Sequence, residues 1–84
     1  MEDKIRIVYD VLPGNGSGGW DVKKEGYPAP IKRFHAKGDA VQYGRELAKR
    51  EHLDGGLGQL RIHDHRGRIE EEWTYDEDPR NLPG

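Results

Sequence analysis

The residues equipped for chemistry are few and scattered along the chain. Gly14, Gly16 and Gly19 fit the spacing G-x-G-x-x-G, and Asp39 follows about twenty residues on, as in folds that cradle a pyrophosphate. That chemistry needs a helix directly after the glycines, so that its amino terminus faces the anion. Here the glycines run into Trp20-Asp21-Val22-Lys23, a strand pattern, and they read as a hairpin loop. His63 and His65 stand one residue apart, which on a regular strand would aim both imidazoles at one metal ion. Gly67 marks a turn that breaks such regularity, and neither Asp64, Glu70 nor His35 is fixed as a third ligand. Asp64 and Glu70-Glu71-Glu72 offer carboxylates for acid-base work, yet successive strand residues alternate faces, which favours pairing with Arg61 or Arg68. Asn15-Gly16-Ser17 matches a glycosylation acceptor without a secretory signal before it. No nucleophile-base pair is visible, so neither catalysis nor a bound metal or cofactor is expected.

The stronger lead is a surface. If the strands are adjacent, Lys4, Arg6, Lys23, Arg61 and His63 gather on one sheet face, with Lys24 and Arg68 near its edges. Lys23, Arg61, His63 and Arg68 are the candidate binding residues. A basic sheet can hold phosphates, but Asp10, Asp21, Glu70 and Glu72 dilute this one, and a sequence pI near 6.1 falls short of a nucleic-acid footprint. Trp20 and Trp73 could stack on bases; both are in phase with apolar neighbours and are expected inside.

Composition limits what these residues can build. Eighty-four residues make one domain, and a chain this short buries only about 60% of the surface its unfolded form exposes. With 36% charged and 32% hydrophobic residues the core must be small. The chain contains no cysteine, which excludes disulfides and thiolate zinc sites. Met1-Glu2-Asp3-Lys4 opens without an apolar signal region and no run suits a bilayer, so a cytoplasmic protein without membrane association is expected. Charge is uneven: residues 1–69 carry +3 and residues 70–84 carry −5. The end reads as an acidic, proline-containing flexible tail over 76–84, following a single domain over 1–75.

The elements follow from periodicity. Ile5, Ile7, Tyr9 and Val11 alternate with more polar neighbours up to Pro13, and alternation resumes at Trp20, predicting a hairpin. Ile31 to His35 reads as a short third strand with Phe34 inward. Ala40, Val41, Gly44, Leu47 and Ala48 mark one narrow helix face, whose small residues let the helix lie close to Trp20, Tyr9 and Ile62. Asp54-Gly55-Gly56 ends the helix. Leu60 and Ile62 mark a fourth strand; after Gly67, a fifth places Ile69, Glu71, Trp73 and Tyr75 on one face.

These pieces together resemble a family, the small YdaT-like bacterial proteins grouped as domain of unknown function 2188. Tyr9-Asp10-Val11-Leu12-Pro13, the glycine loop and Gly19-Trp20-Asp21-Val22-Lys23 resemble its first hairpin. Asp39-Ala40-Val41 with Gly44-Arg45-Glu46-Leu47-Ala48 is similar to its helix, and Leu60-Arg61-Ile62-His63 with Gly67-Arg68-Ile69 to its closing hairpin. Tyr75 with Asp78-Pro79 resembles its ending. The resemblance implies a small α+β domain and no agreed activity. Similar sequences place Ser or Thr three residues before the acidic helix residue; Ala36 stands there here, leaving either a later cap at Asp39 or a weaker cap costing about 1 kcal/mol.

The expected architecture is a two-layer α+β domain: an antiparallel sheet of four to five strands in ββ(β)αββ order, one helix on one face. The expected role is a non-enzymatic binding or regulatory module, monomeric or weakly dimeric, with an unidentified protein as partner. An exposed edge, such as that of the strand after Gly26, would receive it. A nucleic-acid-binding module using the mildly basic sheet face is the alternative.

Overall fold

Alternation along the first segment yields a strand with two unlike faces. The computed structural model describes residues 5–14 and 18–75; Lys4, the sequence Asn15-Gly16-Ser17 and the acidic tail lie outside them. Strand β1 (Arg6–Pro13) buries Tyr9 and Val11 against the helix, and period two sends Arg6 and Asp10 to the opposite side. Strands β2 (Trp20–Lys24) and β3 (Lys32–Phe34) extend the sheet antiparallel to one side of β1. After helix α1 (Lys37–Leu53), strands β4 (Leu57–His63) and β5 (Ile69–Tyr75) extend it to the other side. The five strands lie in the order β3-β2-β1-β4-β5, with α1 on one face, and the fold is α+β.

The sheet is mixed rather than wholly antiparallel, because β1 and β4 run parallel with Tyr9 beside Leu60 and Val11 beside Ile62. Two reversals, from β1 to β2 and from β2 to β3, leave β3 pointing the same way as β1. Helix α1 then carries the chain back, so β4 starts again in that direction and joins the free edge of β1.

The core sits between α1 and the three inner strands. Val11, Val22 and Leu60 are its largest fully enclosed side chains, joined by Tyr9, Ile62, Ala40 and Ala48, with Trp20, Phe34 and Tyr43 packed around them. Helix and sheet meet through small residues, as the helix pattern predicts. A Cβ on Gly44 would stand 2.7 Å from a Leu60 methyl and 3.3 Å from Val11, and one on Gly58 would collide with the Ala48 carbonyl of the helix backbone itself. The helix begins with Ala36 in the N-cap position, in extended conformation and with no side chain to bond the exposed amides, so the weaker cap is realised. It ends where the amides of Asp54 and Gly55 return to helix carbonyls and Gly55 takes φ +97°.

Strand β5 departs from the expected phase. Its register pairs Glu71 with Ile62 but Ile69 with His63, so Glu70 is an extra residue in a bulge. Ile69 therefore shares the face of His63 rather than that of Trp73. Trp73 itself remains 43% exposed, because α1 lies over β1 and β4 and leaves the helix side of β5 only partly covered.

The close contact predicts unequal costs for two glycines. Gly58→Ala forces backbone against backbone and should destabilise the domain by about 3 kcal/mol. Gly44→Ala displaces a Leu60 methyl and crowds a Val11 methyl, both side-chain ends rather than backbone, and gains helix propensity, for a net change of about 1 kcal/mol or less. Urea unfolding of the two variants measures the difference.

Candidate binding face

The side of the sheet away from α1 has no second layer among the described residues, and its polar side chains are held mainly by one another. Register places Lys23, Asp10, Arg61 and Glu72 in one row across β2, β1, β4 and β5, a row of alternating charge. Asp10 is its hub. Arg61 grips the Asp10 carboxylate with two hydrogen bonds, from Nε at 2.8 Å and Nη2 at 3.0 Å, and donates a further one to Glu25 at 3.0 Å. His63 lies with Nε2 2.9 Å from the same carboxylate and Nδ1 3.0 Å from the Gly67 carbonyl. To one side of this row Arg33 donates to Asp21 at 2.7 Å, and to the other side Arg6 donates to Gln59, which donates in turn to Glu72. Long side chains lying flat on the sheet explain how Val8 and Gln59 are buried on a face that no helix covers.

Burial pushes the Asp10 carboxyl upward, but the hydrogen bonds and charges of Arg61 and His63 outweigh it and hold the group below its ordinary value. On the other side of the sheet, burial pushes the Tyr9 phenol upward, reinforced by the 2.7 Å hydrogen bond it donates to Glu51. At the β4–β5 turn, Asp64 accepts from the backbone amides of Arg68 and Arg66, which lower its carboxyl, while Gly67 supplies the positive φ of +85° the turn requires.

Three of the four candidate residues come together. Lys23, Arg61 and His63 line one shallow hollow of about 280 Å³ with Asp10, Glu25 and Tyr27. Arg68 stands apart at the β4–β5 turn, where its Nε lies 3.3 Å from Asp64. Among the four, Lys23 has no ion-pair partner among the described residues. Tyr27, 59% exposed with the Lys24 ammonium over its ring, was not singled out by sequence; its position between Gly26 and Pro28 predicts a loop and nothing more. Glu25 was missed for the same reason. Among the described residues no group of three His, Asp or Glu is placed to hold a metal ion, and His65 lies exposed at the turn. The segment after Gly19 is strand β2, paired antiparallel with β1 as the alternation from Trp20 predicts, and not a helix. Among the described residues no helix is long and apolar enough to cross a membrane.

A two-layer α+β domain whose open sheet face is closed by internal ion pairs is thus the class of protein that fold and surface define. The chain belongs to a bacterial family described as an uncharacterised protein conserved in bacteria (DUF2188), whose model matches residues 9–75. No curated protein and no solved structure matches.

Acid should loosen the open face in a defined window. Because the Asp10 carboxyl is lowered in the folded state, its contribution to stability is complete above the ordinary carboxylate value near 3.8 and is lost as pH falls through the lower folded value. Asp10→Asn should cost about 2 kcal/mol at pH 7 and flatten the decline of stability below about pH 4. Thermal unfolding between pH 2.5 and 7 checks both.

Proposed function

We propose that this chain is a small non-enzymatic protein-binding module that receives its partner at an edge of the sheet. The observation that carries this reading is strand β5: a seven-residue edge strand, exposed along almost its whole length, with no neighbour on its outer side among the described residues. An unpaired edge offers a row of backbone donors and acceptors that an extended segment can complete. Trp73 adds a half-exposed aromatic surface beside that edge.

The chemistry of the open face supports a non-catalytic role, since Asp10, Arg61 and His63 are committed to one another and to Gly67. It also weakens the nucleic-acid reading: phosphate binding needs cations whose charge is available, and Arg61 and Arg68 each face a carboxylate of the same chain. What favours that second reading is Lys23, which stands beside the exposed Tyr27 in the same hollow.

The two readings separate by mutation. Affinity capture from a bacterial lysate should retain a protein partner with the wild-type chain and lose it with Trp73→Ala. Loss with Lys23→Glu instead, together with salt-sensitive binding of a labelled 20-nucleotide DNA or RNA, would overturn the edge reading in favour of the open face.

A further inference from the structure

We infer that the occupant of the β5 edge is an extended segment carrying two adjacent basic residues, recognised by Glu71 and Glu72 from opposite faces of the strand. This rests on the edge reading above and names the partner's chemistry. Three glutamates stand in succession on β5, and the structure treats each differently. Glu70, in the bulge, is paired with the Lys37 ammonium of the helix. Glu71 lies on the helix side, on the rim of a groove of about 350 Å³ between α1 and β5 whose lining includes Lys37, Val41, Gln42, Arg45 and Ile62. It has no partner among the described residues. Glu72 lies on the open side, where among the described residues it accepts only the neutral amide of Gln59 at 3.2 Å.

Two carboxylates without cationic contacts thus occupy neighbouring positions of one edge strand and point to opposite faces of the sheet. A strand laid beside β5 also alternates its side chains between those faces. Consecutive Lys or Arg residues in it would meet Glu71 on one side and Glu72 on the other, and opposite charges across a strand pair are favourable. Of the two cations that line the groove beside α1, Lys37 is paired with Glu70 and Arg45 donates to the Tyr75 hydroxyl, so Glu71 is left there to meet a long basic side chain. The Arg45 guanidinium lies 5.5 Å from the Trp73 ring centre.

The same charges argue against a second copy of β5 as occupant. Antiparallel pairing of two such strands centred on Glu72 would set this residue against itself, and like charges directly opposite are destabilising.

The test uses the whole chain and a fluorescein-labelled ten-residue peptide of alternating Thr and Val with a central Lys-Arg pair. Three matched peptides carry Gln-Gln or Glu-Glu at the centre, or the Lys-Arg pair with alternate backbone nitrogens methylated. Anisotropy should show binding of the Lys-Arg peptide, weaker binding of the Gln-Gln peptide, and none of the Glu-Glu or methylated peptide. Glu71→Gln and Glu72→Gln should each weaken it about threefold, whereas Glu46→Gln, a carboxylate removed elsewhere on the helix, should not. Amide chemical shifts of the folded chain should move along β5. Equal binding of the Gln-Gln and Lys-Arg peptides would overturn the basic-pair assignment while leaving strand addition intact. Binding that survives methylation, shifts confined to another surface, or no binding with the amide spectrum of a folded domain would overturn both. Self-association through β5 in sedimentation would overturn the assignment in favour of a second copy.

Discussion

Everything in this domain is arranged around the closeness of one helix to two parallel strands. Gly58 lets the backbone of β4 reach the Ala48 carbonyl, and Gly44 admits Leu60 and Val11 against the helix axis. Such contact makes a short chain's few apolar side chains sufficient, since the space to be filled is small. It also fixes where the helix must lie. Centred on β1 and β4, α1 leaves β5 outside its shelter, so the edge strand keeps an exposed tryptophan and a groove beside it.

The other face shows how a sheet without a second layer is closed. Asp10 collects Arg61 and His63, Asp21 collects Arg33, and Gln59 links Arg6 to Glu72. Individual surface ion pairs contribute little, but here the carboxylates of Asp10 and Asp21 are largely shielded and their partners are drawn from different strands. The network therefore ties β1 to β4 and β2 to β3 across the strands. A face organised in this way is consistent with the chain's modest net charge of −2.

What could be read in advance was local. The alternation from Ile7 to Val11, the small face of Gly44 and Ala48, and the glycines that end the helix and turn β4 into β5 all depend on neighbours within a few residues, and the structure has each of them; between a late cap at Asp39 and a weak one at Ala36 the sequence left the choice open. The parallel pairing of β1 with β4 was not legible, because direction is fixed only when three strands and a helix are placed together. Nor was the bulge at Glu70, which moves Ile69 to the face of His63 and depends on register between strands. Lys23, Arg61 and His63 were correctly gathered on one face by strand phase, but that Asp10 would bind two of them required knowing which strand lies beside which.

The parallel central pair also governs the order in which the molecule can assemble. Strands β1 to β3 are joined by short reversals, as are β4 and β5, so both sets of neighbours meet locally. Asp10 and Arg61, by contrast, are 51 positions apart and bond only once the helical crossover has closed. Closing that loop costs entropy before any central contact repays it, so the two halves are expected to join late. The domain is accordingly two local sheets that become one through a single seam, with the helix laid along it.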